Sequence, residues 1–190
     1  MAKVLAVNGS PKNDGNTAHM LQCVLDACEK AGHETELYQA GGRELRGCMS
    51  CYGCMKNPGR CAIDDWINEL YTKMVEADAI LLGSPTYTSG LTADMKAVID
   101  RCGFVAKNDG KKLSRKVGAA VSPARRAGSI HTLDTLQHFL LINDMVVAGS
   151  SYWNMSLALR AGDYENDKEG VETMRRLGEN IVWLLSKLLT

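Results

Sequence analysis

Val4-Leu5-Ala6-Val7-Asn8-Gly9-Ser10-Pro11-Lys12-Asn13-Asp14-Gly15-Asn16-Thr17 runs from an apolar strand into a loop of small and polar residues, and then into a helix over about Thr17 to Ala31. A short apolar run bounded by turn residues reads as a buried strand. Small residues let backbone approach an anion, and Ser, Asn and Thr bring hydroxyl and amide donors. The helix that follows points free N–H groups and its positive dipole end at the same place. The stretch therefore reads as a phosphate cradle at the end of a first strand.

Outward from this cradle, strands and helices alternate. Glu34–Tyr38 reads as a second strand, followed by a Gly- and Cys-rich loop from Gly41 to about Ile63. Acidic Asp64-Asp65 opens a second helix reaching about Glu76. Ala79–Gly83 is apolar throughout and reads as a third strand buried on both faces. Further helices are expected over Thr92–Arg101, Ser129–Ile142 and Lys168–Leu189, with strands at Lys116–Val121 and Met145–Val147. The final helix carries a stripe of Met174, Leu177, Ile181, Leu184, Leu185 and Leu188. Five strands separated by helices predict an α/β three-layer sandwich, its parallel sheet in the order 2-1-3-4-5 with helices on both faces. Ligands in such sheets bind at the carboxyl ends of the strands, where the loops after strands one, three and four meet.

Composition bounds the function. The chain of 190 residues suits a single domain, residues 1–190, with a Cys-rich insertion at 41–63. Its 22 Lys and Arg balance 22 Asp and Glu, so no global field favours nucleic acid or an anionic membrane. No apolar segment is long enough to span a bilayer and the amino terminus enters a strand directly, so a cytoplasmic location is expected.

The phosphate has several possible owners. A dinucleotide site requires G-x-G-x-x-G and a later acidic residue, and a Walker loop requires G-x-x-x-x-G-K-[ST]; neither spacing occurs in Gly9–Gly15. Cys54 and Arg60 have the C-x5-R spacing of tyrosine phosphatases, but low-molecular-weight enzymes of that kind place the Cys in the loop after the first strand, where this chain has Ser10. A mononucleotide such as FMN, bound in a flavodoxin-like sheet, meets the description.

Gly9-Ser10-Pro11-Lys12-x-x-Gly15-Asn16-Thr17, Gly83-Ser84-Pro85-Thr86-Tyr87 and Met95-Lys96-Ala97-Val98-Ile99-Asp100-Arg101, each after or near a successive strand, together resemble the flavodoxin-like NAD(P)H-dependent FMN reductase family. The Cys-rich insertion resembles its iron–sulfur flavoprotein branch. The resemblance implies that Ser10, Lys12, Asn16 and Thr17 bind the FMN phosphate. Pro85, Thr86 and Tyr87 would line the ring, with Ser89 as a polar contact. Ser122, Pro123, Ala124, Arg125, Arg126 and Gly128 would form the third flavin loop, with Arg126 the preferred contact. An arginine here suits the electron-rich flavin ring or the phosphate of an incoming nicotinamide cofactor. Asp100 and Arg101 are read as a structural pair, and no residue is assigned a catalytic acid or base role.

Seven cysteines are present, and Cys48, Cys51, Cys54 and Cys61 fall within one loop. In a chain without a secretion signal such a cluster reads as metal-binding or redox-active. The glycines at 47, 53 and 59 let the loop curl around a [4Fe–4S] cluster, although the C-x2-C-x2-C-x6-C spacing departs from the ferredoxin run. Zinc, and thiols free or bridged, remain open alternatives. Cys23, Cys28 and Cys102 read as packing residues.

Two functions follow. One is an oxidoreductase that uses NAD(P)H to reduce FMN, a quinone or another small acceptor. The other is an electron carrier exchanging electrons with ferredoxin-like partners. The resemblance also implies a homodimer or homotetramer that brings the cluster of one subunit near the flavin of another, with Tyr152, Trp153 and Trp66 as interface or core aromatics.

Overall fold

The computed structural model describes residues 1–189; Thr190, the end of the expected domain, lies outside the described residues. Strands β1 (Lys3–Asn8), β2 (Glu34–Gln39), β3 (Ala79–Gly83), β4 (Val117–Ala124) and β5 (Val146–Val147) form a parallel sheet in the order β2-β1-β3-β4-β5. This is the expected order. Successive strand residues feed opposite cores, as the two-residue period requires. Val4, Ala6, Ala79 and Leu81 join α1 (Asn16–Lys30) and α6 (Lys168–Leu188) on one face. Leu5, Val7, Ile80 and Leu82 join α3 (Ile67–Glu76), α4 (Ala93–Lys107) and α5 (Ser129–Ile142) on the other.

Four elements depart from the sequence expectation. The fifth strand is split: β5 pairs with Val117 and Gly118, and β6 (Met155–Leu157) continues alongside Ser122–Ala124 after an excursion through residues 148–154. A single turn of helix, α2 (Gly53–Lys56), lies inside the Cys-rich loop. A 3₁₀ turn at Asp163–Asn166 precedes α6. Helix α4 also runs six residues past its expected end, to Lys107, because Cys102, Val105 and Ala106 continue its buried face. Among the described residues, no helix is long and apolar enough to cross a membrane.

Candidate functional site

The loop after β1 is held from beneath by a buried polar network. Asn8 is fully buried; its Oδ1 accepts from the N–H of Ser10 at 3.0 Å, and its Nδ2 donates to Lys12 O at 3.2 Å and Gln39 Oε1 at 2.7 Å. Gln39 Nε2 then donates to the carbonyls of Ser10, at 2.7 Å, and Gly41, at 2.6 Å. Two side chains at the ends of neighbouring strands thus fix the turn, an arrangement that low dielectric makes effective when every partner is satisfied. Gly41 permits this closeness, since a Cβ there would lie 2.4 Å from Ser10 O. From the other side, Thr92 Oγ1 donates to Gly9 O at 2.7 Å.

The loop leads into α1, whose N-cap Gly15 supplies no side-chain acceptor for the first-turn N–H groups. Those donors face the loop, together with the buried side chains of Ser10 and Thr17 and the exposed Lys12. The Ser10 Oγ accepts from Lys12 N at 3.2 Å, leaving its proton to donate outward. Asn16 is differently engaged. Its Nδ2 donates to Arg160 O at 2.8 Å and its Oδ1 accepts from Tyr164 N at 3.2 Å, so its side chain joins the loop to the segment before α6.

A cleft opens above this loop, lined by Ser10, Lys12, Asn16 and Thr17, by Pro85, Thr86 and Tyr87 after β3, and by Pro123, Ala124 and Arg125 at the end of β4. A fourth wall comes from Ala158, Leu159 and Ala161, which sequence reading did not place at the site. Thr86 is locked: its N–H donates to Pro123 O at 3.0 Å and its hydroxyl shares a hydrogen bond with Ser122 at 3.0 Å. Ser122 therefore lies behind the wall, bracing it, rather than in it. Tyr87 is half exposed at the mouth. It pairs with Gly90 across a two-residue turn in which Thr88 and Ser89 both have positive φ, at 51° and 58°. Non-glycine residues rarely adopt that conformation, and such strain collects at ligand sites. Ser89 and Gly128 pack against each other beside the cleft, outside its lining. Of the two arginines, Arg125 lines the cleft and Arg126 is exposed beyond it.

The Cys-rich loop leaves next to the phosphate loop, where Gly42 N donates to Asp94 Oδ2 at 2.8 Å, and then runs along α4. Its entry is clamped by Arg43, which lies 4.4 Å over the Trp66 ring and donates to Tyr38 OH at 2.7 Å. Its exit is clamped by Asn68, which accepts from Cys61 N at 2.8 Å and donates to Ile63 O at 3.2 Å. Between these clamps Cys48, Cys51, Cys54 and Cys61 line one concavity with Arg101, Phe104 and Val105 of α4. Gly53 allows the fold-back, since a Cβ there would lie 2.5 Å from that of Ala62. Cys48 and Cys51 are exposed, Cys61 is half-buried and Cys54 is buried; burial, reinforced by the neighbouring thiols, pushes the Cys54 thiol up. Two sulfurs face N–H donors: Arg101 Nη2 lies 3.3 Å from Cys61 Sγ, and Asn108 Nδ2 lies 3.8 Å from Cys54 Sγ. Among the described residues no three His, Cys, Asp or Glu side chains are arranged around one metal ion; the four thiols share a wall without converging on a point.

Arg101 does not pair with Asp100 as the sequence suggested. Consecutive helix residues point apart, so Asp100 bonds Lys96 at 2.5 Å on the surface while Arg101 turns inward to Asp65 at 2.6 Å. Cys28 and Cys102 are buried packing residues, their thiols pushed up by burial to about 11 and about 12. Trp66 packs on Arg43 and Tyr38, whereas Tyr152 and Trp153 are exposed.

With this geometry, residues 2–159 match the NADPH-dependent FMN reductase family. The chain belongs to that family. It is 37% identical over 186 residues to an iron-sulfur flavoprotein of Methanocaldococcus jannaschii, covering 94% of this chain and 95% of the relative. Among solved structures, RosB bound to 8-demethyl-8-formylriboflavin-5'-phosphate superposes with a TM-score of 0.79 at 17% identity, covering 100% of this chain and 81% of RosB. A WrbA-like flavodoxin from Agrobacterium tumefaciens gives a TM-score of 0.64 at 17% identity, covering 98% and 99% of the two chains. These structural likenesses confirm the flavodoxin-like fold.

In this FMN reductase family member, sequence reading missed the 158–161 wall and three supports: Asn8, Gln39 and Thr92. A polar residue ending an otherwise apolar strand, as Asn8 and Gln39 do, is the signal that marks two of them. The 158–161 wall carries no such signal, since nothing local in Ala158-Leu159-Arg160-Ala161 indicates that it folds back over residue 16.

Proposed function

We propose that this chain is an FMN-binding oxidoreductase that takes electrons from NAD(P)H, and that Cys48, Cys51, Cys54 and Cys61 hold a [4Fe–4S] cluster. The convergence of four separate loops on one cleft at the carboxyl ends of the strands carries the first part of this reading. Bound FMN would supply both two-electron and one-electron chemistry.

The chain's own residues bind and orient. The uncapped N-terminus of α1 and the Ser10 and Thr17 hydroxyls present donors to a phosphate, and Lys12 adds a cation. The Asn8–Gln39–Thr92 network preorganises those donors, so little order is lost on binding. Pro85 and Tyr87 offer flat apolar surface to the ring, and the Thr86–Ser122 bond keeps that wall still. Arg125 places a positive charge at the cleft, suited to an electron-rich ring or to the phosphate of a nicotinamide cofactor.

The cluster assignment is supported by the donor set. Four thiols line one concavity, and a buried guanidinium with an orphaned Nε stands against it. Sulfurs spread around a concavity suit a polynuclear cluster; a tetrahedral zinc site needs four of them about 2.3 Å from one ion. The relative from M. jannaschii carries the name iron-sulfur flavoprotein. Thr92 and Arg101, at the two sites, are separated along α4 by on the order of 14 Å at about 1.5 Å per residue. The proposal includes a homo-oligomer in which the sites of neighbouring chains approach, with exposed Tyr152 and Trp153 as candidate contacts.

A second reading, exchange of electrons with ferredoxin-like partners, is favoured by the exposure of Cys48 and Cys51, which would leave a bound cluster within reach of another protein. Anaerobic purification, reconstitution with FMN, iron and sulfide, and rapid mixing with NADPH, NADH or reduced ferredoxin tests both readings. Flavin bleaching by a nicotinamide cofactor is the expected result; fast reduction by ferredoxin with slow bleaching by NADPH and NADH would select the second reading. A chain that takes up no FMN on reconstitution overturns the central proposal.

A further inference from the structure

Arg101 is the largest fully buried side chain among the described residues. It sits halfway along α4, on the face turned to the cysteine loop. Its guanidinium grips Asp65 with both terminal nitrogens, at 2.6 and 2.7 Å. Nη1 also donates to Arg46 O at 3.2 Å, and Nη2 to Ile63 O at 3.2 Å and to Cys61 Sγ at 3.3 Å. The carbonyls of residues 46 and 63 bracket the whole cysteine segment. One side chain therefore ties both ends of that segment to the same helix while touching a sulfur between them. Asn108, two turns along the same helix face, reaches Cys54 at 3.8 Å, and Phe104 and Val105 fill the space between.

Burying a guanidinium is costly unless its donors are used. Four of the five N–H groups have acceptors available, but Nε is buried with none. A side chain kept only to pair with Asp65 has no need to turn a further N–H toward sulfur or to leave a donor unpaired. The N–H on Cys61 Sγ suits a wall that faces extra negative charge on sulfur. Positive charge and N–H···S bonds stabilise the more negative, reduced state of a thiolate-bound cluster and so raise its reduction potential.

We infer that Arg101 is the positioning residue of the four-thiol pocket: it closes the ends of the cysteine segment and sets the potential of the cluster held there. This deepens, and rests on, the cluster reading above. Asn108 plays the smaller, similar part at Cys54.

The test compares wild type, Arg101→Lys, Arg101→Met and Asn108→Ala after anaerobic reconstitution with iron, sulfide and FMN. Iron and sulfide per chain, FMN per chain, and the cluster's midpoint potential, followed by EPR during redox titration, are measured on each. Arg101→Met is expected to keep its FMN and to lose iron, or to hold a cluster whose reduced-to-oxidised ratio at the wild-type midpoint is at least tenfold lower, about 59 mV for a one-electron couple. Arg101→Lys should recover iron content, with a potential between the two. Asn108→Ala should shift the potential in the same direction by less. Wild-type iron content and unshifted potential in Arg101→Met overturn the inference while leaving the cluster reading intact. Where Arg101→Met fails to fold, the same result in both Arg101→Lys and Asn108→Ala overturns it. A wild-type chain that binds FMN but no iron and sulfide overturns the cluster reading itself.

Discussion

Thr92 Oγ1 donates to the carbonyl of Gly9 at 2.7 Å while accepting from the N–H of Met95 at 3.1 Å. One buried hydroxyl thus caps α4 and fixes the start of the phosphate loop, joining the helix end to the residue that follows β1. Thr92→Ala removes a cap, which costs about 0.5–2 kcal/mol, and leaves the Gly9 carbonyl buried without this donor, about 1–3 kcal/mol more. Urea unfolding should show the loss, and Thr92→Ser should recover most of it. FMN affinity should fall in Thr92→Ala, because the loop it braces is the one proposed to meet the phosphate; equal affinity in a folded variant argues against preorganisation from this side.

In the proposed site Ser10 and Thr17 would supply side-chain donors to the same phosphate. Replacing either by Ala should weaken FMN binding by roughly 1–3 kcal/mol for each charge-assisted hydrogen bond lost. Fluorescence titration of the apoprotein with FMN measures it. Unchanged affinity in the double variant would remove the phosphate cradle from this loop.

Gly41 is a steric test of the same site. A Cβ there would meet the backbone of the phosphate loop, 2.4 Å from Ser10 O and 2.5 Å from Gly9 O. Backbone cannot rotate away as a side chain can, so Gly41→Ala should displace the loop and cut FMN affinity more than either hydroxyl variant. Gly32→Ala, at a position with nothing within 4 Å and φ +84°, should affect only stability. Comparing the FMN affinities of the two glycine variants separates loop displacement from general destabilisation.

His19 ties the phosphate loop to the segment before α6. Its Nε2 contacts Asp14 at 2.6 Å and its Nδ1 contacts Glu165. The hydrogen bond to Asp14 is the largest influence on its pKa, burial opposes it, and Glu165 adds to it; the net effect raises the pKa above the ordinary 6.5. A raised folded-state value means that protonated His19 stabilises the fold. That contribution is complete below pH 6.5 and is lost as pH rises through the folded-state value. Wild type should lose stability across that window, and His19→Gln should flatten this component of the pH profile. Parallel profiles for the two proteins, read by urea denaturation, would exclude the linkage.

Much of the fold is legible because its signals are local. The apolar runs at Val4–Val7 and Ala79–Leu82 are buried on both faces as parallel central strands must be, and the loops after them hold the small and polar residues that a ligand edge requires. The split of the fifth strand is not legible. Val146-Val147 reads as a strand, but Met155–Leu157 is three residues long, too short for any period, and becomes a strand only because β4 offers an edge to pair with. Between Arg125 and Arg126 no local rule chooses, and the turn into α5 decides which one faces the cleft.

The chemistry of residue types and their order along the chain determined the doubly covered parallel sheet, the phosphate loop between β1 and α1, and the grouping of four cysteines after β2, since each depends on neighbours within a few positions. Only the tertiary structure decided that Arg101 meets Asp65 and Cys61 rather than Asp100, and that Asn16 is spent on residues 160 and 164 instead of standing free above the loop. Those contacts join residues 36, 40, 144 and 148 positions apart. Their geometry follows from how α4 and α6 lie on the two faces of the sheet, which helix and strand periodicity orient but do not register.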